Sequence, residues 1–147
     1  MEIGAYLTGY ADGEGCFCVS FSRSRRHQLG WEIRPSFSVS QNRDRKEVLE
    51  LFKKYFGCGT IRPDRSDKTL KFKTRSLEDL VSKVIPHFEK YPFISGKEKD
   101  FERFKEICQL MSQGAHRSKK EFLKIVDIAY QMNGSGMRKY SKSEMKL

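Results

Sequence analysis

Hydrophobic and polar positions change period along this chain, and each change marks an element. Ile3, Leu7 and Ala11 recur four residues apart with Tyr6 and Tyr10 beside them, the spacing of one helical stripe. A second stripe, Ala5, Gly9 and Gly13, is small. Glycine inside a helix costs about 1 kcal/mol relative to Ala, so its repetition predicts close approach of another helix. The helix is expected to end in Asp12-Gly13-Glu14-Gly15. Over 16–22 the period falls to two, with Phe17, Val19 and Phe21 on one face and Cys16, Cys18, Ser20 and Ser22 on the other, a half-buried strand. Alternation returns over 31–40. Ile33, Phe37 and Val39 point inward there, while Glu32, Arg34, Ser36, Ser38 and Ser40 point outward. Pro35 lies on the apolar face without an amide donor, which predicts an edge position or a bulge.

Helical spacing resumes near Asp44, with Val48, Leu49, Leu51, Phe52, Tyr55 and Phe56 on one face and Gly57 as the stop. A short strand is expected at 60–62, turn chemistry at 63–67, and a fourth strand at 69–75. In that strand Leu70 and Phe72 face inward, and Lys71, Lys73 and Arg75 line up outward. Ser76 is the expected N-cap of a helix whose core side is Leu77, Leu80, Val81, Val84 and Ile85, with Pro86 in its last turn. Residues 91–96 read as a linker. A helix is expected over 97–112, with Phe101, Phe104, Ile107, Cys108 and Met111 inward. Ser118-Lys119-Lys120-Glu121 has the capping-box form and opens a last helix to about residue 132, with Phe122, Ile125, Val126 and Ala129 as its buried stripe. From Asn133 onward the chain is Gly, Ser, Lys and Arg with little apolar content, so 133–147 is expected to be a disordered tail or a DNA contact. The order is helix, two strands, helix, two strands, then helices. It predicts one α+β domain over 1–132, with two antiparallel strand pairs and the helices stacked on one face.

Charge then narrows the partner. With 29 Lys+Arg against 19 Asp+Glu the formal net charge is +10, which points to a polyanion, nucleic acid first. The cations cluster. Arg23, Arg25, Arg26 and His27 fall within five residues before Gln28, and Lys71, Lys73 and Arg75 share a strand face near Arg62 and Arg65. Such groups repel one another until a polyphosphate offsets them. The four cysteines form no C-x-x-C pair and read as reduced thiols. The three histidines are scattered, and His87 reads as a helix-end residue. No stretch suits a membrane span or a secretory signal, so an intracellular protein is expected, in an organelle (chloroplast or mitochondrion) or a prokaryotic cytoplasm. Asp12 and Glu14 sit where the helix dipole is negative. A divalent metal would relieve that.

Leu7-Thr8-Gly9-Tyr10-Ala11-Asp12-Gly13-Glu14-Gly15 resembles the nine-residue signature of the LAGLIDADG homing endonucleases. Leu7, Gly9, Asp12 and Gly15 match its letters, and Glu14 keeps the second acid one methylene longer. The element order agrees with that family's αββαββα arrangement, in which an antiparallel sheet forms a DNA-binding saddle, and the resemblance covers roughly residues 3 to 110. It implies that Glu14 and the Gly13 carbonyl bind Mg²⁺ and that Asp12 is mainly structural, near an interface. Gln41 and Arg45, after the second strand, resemble the residues that hold the attacking water, and Lys97 resembles the family's site lysine. Only one motif copy is present, so the resemblance implies a homodimer joined through the motif helix, with Leu7, Gly9, Tyr10 and Asp12 at the interface and a pseudo-palindromic DNA target. DNA contacts are implied for Arg23, Arg25, Arg26, Gln28, Arg34, Ser36, Ser38, Arg62, Arg65, Lys71, Lys73 and Arg75. Three readings stay open: a Mg²⁺-dependent site-specific endonuclease, a catalytically silent DNA-binding protein of the same fold, and an intron RNA maturase.

Overall fold

Helix α1 (Ile3–Glu14) passes directly into strand β1 (Gly15–Arg23). Gly15 makes that joint: a Cβ there would lie 2.7 Å from the Ala11 carbonyl oxygen. In the computed structural model, which describes residues 1–66, 68–133 and 138–145, the chain continues through β2 (Trp31–Asn42), α2 (Glu47–Phe56), β3 (Thr60–Pro63) and β4 (Thr69–Thr74). A helical run follows as α3 (Leu77–Asp79), a π-helical turn (Leu80–Val84) and α4 (Ile85–Lys90), and then α5 (Lys97–Ser112) and α6 (Lys119–Ala129). The four strands form one antiparallel sheet in the order β1-β2-β4-β3. This is the expected α+β architecture. None of the described helices is long and apolar enough to cross a membrane.

The core is aromatic. Phe17, Phe37 and Phe72, on the inner face of the sheet, meet Phe52 and Phe56 of α2, Phe88 of α4, and Phe101 and Phe104 of α5. Ring centroids lie 5.0 Å apart for Phe17–Phe104 and 5.2 Å for Phe37–Phe88. Each such pair contributes about 0.5–1.5 kcal/mol beyond its area burial. The caps read from sequence form: Ser76 accepts from the Asp79 amide at 3.3 Å and Ser118 from the Glu121 amide at 3.2 Å. Gly57 closes α2 at φ 68°, with its N–H on Lys53 O.

Several expectations need correction. The buried stripe of α1 is Gly4, Leu7, Thr8 and Ala11, and Ile3 is 36% exposed. The stripe turns because Gly4 fits against the ring of Tyr91, where a Cβ would lie 2.4 Å from Cε2. Leu7, expected at a subunit interface, is 0% exposed within its own chain. Pro35, by contrast, keeps its expected edge position: β2 is interior in the sheet order, but β4 pairs only with residues 37–42, so at Pro35 the one paired neighbour is β1. Pro86 does not end its helix, which runs on to Lys90. The turn before it widens to π geometry, and the Ile85 amide reaches back to Leu80 O, which absorbs the donor that proline lacks. His87 is a buried, hydrogen-bonded residue of α4 rather than a helix-end group. Of the expected tail, 134–137 and 146–147 lie outside the described residues. The stretch 138–145 packs on the domain, with Met145 0% exposed, where disorder or DNA contact was expected.

Candidate active site and nucleic-acid interface

The two acids of the motif have different surroundings. Both carboxylate oxygens of Asp12 are engaged: Oδ2 accepts the amides of Ile94 and Ser95, each at 3.1 Å, and Oδ1 accepts the Ser95 hydroxyl. The Ser95 hydroxyl, ahead of burial and the two amides, sets the balance that holds the Asp12 carboxyl below its usual 3.8. Ser95 Oγ in turn accepts the Lys97 amide at 3.2 Å, and Lys97 Nζ donates to the Gly15 carbonyl. Asp12 therefore fixes the segment that delivers Lys97 to the α1–β1 joint. Glu14 is exposed, and among the described residues its carboxylate has neither a hydrogen bond nor an ion pair.

Other contacts lock α1 in place. Gln41 Nε2 donates to the Tyr10 hydroxyl, and its Oε1 accepts the Asn42 amide at 2.7 Å, so Gln41 reaches the flank of α1. The Thr8 hydroxyl donates to Tyr91 O (2.9 Å), which leaves it to accept from His87 Nε2 (3.1 Å). Tyr55 then donates to Nδ1 (2.9 Å). Burial, with a smaller contribution from Lys90, lowers His87 to about 4. Arg45 stands exposed on a 3₁₀ turn (Arg43–Arg45) after β2, and none of the contacts above reaches it. Ala5, Tyr6, Gly9 and Gly13 form the exposed face of α1, and a Cβ at Gly9 or Gly13 would meet nothing within 4 Å.

One chain brings no group of three metal-ligating His, Cys, Asp or Glu side chains together among the described residues. The oxygens left free are the Glu14 carboxylate and the nearby backbone. That donor set fits a hard cation such as Mg²⁺, which takes one or two carboxylates and keeps waters, provided a second copy supplies the other carboxylate.

The outer face of the sheet is polar, and the strand register arranges it in rows. Cys16, Ser38, Lys73 and Thr60 lie across from one another, as do Ser40, Lys71 and Arg62. Asp64 tempers this end, with Lys71 Nζ at 3.5 Å and the Ser40 hydroxyl at 3.3 Å. Among the described residues, Arg62, Lys73 and Arg75 have no acid within ion-pair distance, and they line one cleft with Thr60, Asp64 and Lys71. Arg65 is exposed in the β3–β4 turn. Arg34 faces outward beside Glu32 at 3.6 Å. Ser36 and Ser38 face the same way but are buried under their neighbours. Arg25, Arg26 and Gln28 project from the tip between β1 and β2. Arg23 differs: its guanidinium lies 4.7 Å from the Trp31 ring centroid and 5.5 Å from that of Tyr140.

Sequence reasoning missed Ser95, Tyr91 and Tyr140. A serine beside a lysine at a helix start was the available signal for Ser95. Nothing local marks the other two.

The family model described as LAGLIDADG endonuclease matches residues 7–108. A probable intron-encoded endonuclease 2 of Neurospora crassa is 30% identical over 130 residues, which is 88% of this chain and 29% of that protein. The chain spans less than a third of the curated relatives it matches first. Among solved structures, the homing endonuclease I-TnaI superimposes with a TM-score of 0.87 at 34% identity, covering 97% of this chain and 92% of that one. I-SmaMI bound to an uncleaved DNA target in the presence of calcium ions also has a TM-score of 0.87, at 28% identity, but this chain covers only 47% of it.

Proposed function

The chain belongs to the LAGLIDADG endonuclease family, and from that premise we propose that it is a homing endonuclease, intron-encoded like its relatives, that makes a double-strand break in a long pseudo-palindromic DNA target. The observation that carries this reading is the division of labour between the two motif acids. Asp12 is consumed by the amides of Ile94 and Ser95 and by the Ser95 hydroxyl, and Glu14 is left exposed beside the tethered Lys97. A DNA-binding protein that never cuts has no use for an unpaired carboxylate facing phosphate, whose charge it would repel.

The active unit is a homodimer joined along the open face of α1, where Gly9 and Gly13 leave room for a second helix. The length of I-SmaMI supports that stoichiometry: this chain aligns over 95% of itself with only 47% of that chain, so the relative has room for about two such units. Two Glu14 carboxylates and the Gly13 carbonyls would together hold Mg²⁺, which when bound would stabilise charge on the attacking and leaving oxygens. Gln41 orients water from the flank of α1, Lys97 adds positive charge near the scissile phosphate, and Arg45 reaches the DNA backbone from outside the centre. The outer face of the sheet lies in the major groove. Arg34, Arg62, Lys71, Lys73 and Arg75 make its contacts, together with Arg25, Arg26 and Gln28 from the tip.

A randomised duplex library incubated with Mg²⁺, with the cut ends sequenced, tests this directly. Cuts at one near-palindrome, absent from Glu14→Gln while binding persists, are expected. Retention of specific duplexes without cutting by the unmodified protein would establish a binder instead. Neither retention nor cutting would turn attention to structured intron RNA.

A further inference from the structure

The edge of the sheet at β1 is closed by Asn133 and Arg138. Asn133 Nδ2 donates to Phe17 O at 2.8 Å, and Arg138 Nη1 donates to Val19 O at 2.6 Å, so alternate carbonyls of the edge strand are capped by side chains. Arg138 also donates through Nη2 to Ala129 O at 2.6 Å, and its guanidinium lies 4.6 Å from the centre of the Tyr130 ring. The Tyr130 hydroxyl donates to Tyr140 O at 2.5 Å, and Lys142 pairs with Asp127. Residues 138–145 thus form a strap fastened to β1 and to α6. Its one aromatic side chain, Tyr140, stands edge-on to Trp31 with centroids 4.9 Å apart and shares Arg23 with it.

Arg23 and Trp31 are the last pair of the β1–β2 ladder, and the tip springs from them. The tip spans residues 24–30, closed by Ser24 N–H to Gly30 O at 2.9 Å and a turn bond from Gly30 N–H to His27 O at 2.8 Å. Its cations repel one another, and a tip left to wander must be ordered at a cost on binding and can adjust to a wrong base as well as to a right one, which lowers discrimination. From the geometry we infer that the strap orients the tip, with Tyr140 as its positioning residue, and that Arg23 is part of this clamp rather than a reader of DNA. This rests on the DNA-cleaving function proposed above. Because β1 runs nine residues, about 25–30 Å, away from Glu14, the clamp governs discrimination at the outer ends of the target and leaves the central positions alone.

Trp31 is the chain's one tryptophan, so its emission reports the clamp without DNA. Tyr140→Ala is expected to shift that emission to the red and to speed amide exchange over 24–30 by about two- to five-fold, the range expected for losing one half-exposed cation–π contact. Tyr140→Phe should match the unmodified protein, since only the Tyr140 backbone carbonyl is bonded to Tyr130. On a duplex retained by the unmodified protein without divalent metal, Tyr140→Ala should lose about two- to five-fold of its discrimination at the outer positions and none at the centre. If Tyr140→Ala fails to fold, Tyr140→Leu, which keeps apolar cover without a ring face, should give the same results. Unchanged emission and exchange would overturn the clamp, and equal loss at all positions would overturn its role in reading. If the unmodified protein retains no duplex, the nucleic-acid role fails with the proposed function, while emission and exchange still decide whether the strap holds the tip.

Discussion

The two ends of β1 are built on opposite plans. At Gly15 nearly every polar group is tied down: Asp12 to the segment before α5, Lys97 to Gly15 O, Thr8 to Tyr91 O and His87. Among the described residues here, the Glu14 carboxylate is left loose. At Arg23 the chain leaves the sheet in a tip of seven residues whose cations stand in solvent, held at the base by ring faces. Bond-breaking chemistry tolerates little misplacement, so its residues need rigid supports. Contact with a duplex draws on many weaker interactions and survives the loss of one. Under the proposed function, one strand serves both demands by separating them along its length.

Breaking the rigid end should give the largest effect. Asp12→Ala frees residues 94–95 and with them Lys97, and a displacement of about 1 Å costs on the order of 10²-fold in rate. Single-turnover cleavage should fall by that amount with DNA affinity unchanged. A variant that cuts at the normal rate would show that the tether plays no part in the chemistry. Because the folded-state pKa of Asp12 is depressed, the stabilisation it provides is complete above the unfolded value near pH 4 and is lost as pH falls through the folded one. Asp12→Ala should lack this acid-dependent part in thermal melts.

His87 gives a second, smaller test of the same end. Its folded value of about 4 against the usual 6.5 means that the unfolded chain takes up the proton first. Stability should therefore decline as pH drops from about 6.5 to about 4, by about 2–3 kcal/mol in total. Melting temperatures of the unmodified protein and His87→Gln, compared at pH 7 and pH 4.5, read this difference. A parallel pH dependence in both would remove His87 from the account. Gly9→Ala sharpens the distinction between buried and open faces of α1. It should stabilise the isolated chain by about 1 kcal/mol, since nothing lies within reach of the new Cβ, yet lower the dimer fraction in sedimentation. Stabilisation without any loss of dimer would place the subunit interface elsewhere. At the tip, Arg26→Gln should change least, lowering the slope of log affinity against log salt by about one.

Much of this design could be read from residue pattern. The alternation at Phe17, Val19 and Phe21, the caps at Ser76 and Ser118, and the helix over 97–112 all follow from local chemistry, and local chemistry is what a sequence displays. The motif likewise disclosed that Asp12 and Glu14 end a helix. Their unlike fates depended on Ser95, which lies 83 residues beyond Asp12 and carries no sign of its partner. Pro86 misled because a break was expected where the helix instead widened by one residue per turn. The segment 138–145 misled for another reason. It is anchored by guanidinium and ring contacts and a single buried methionine, and hydrophobic periodicity does not register them.

The contacts that lock α1 also set the order in which the molecule can be made. Glu2, Thr8 and Asp12 are tied to residues 79–89 positions later in the chain, whereas β1 and β2 are hairpin neighbours able to pair once residue 42 is out of the ribosome. At about 5–20 residues per second, several seconds of synthesis separate that moment from the emergence of Lys97. During this interval the hairpin can pair, but the acidic centre cannot yet assemble. The strap emerges later still, so the tip becomes clamped only after residues 138–145 have been made and have docked.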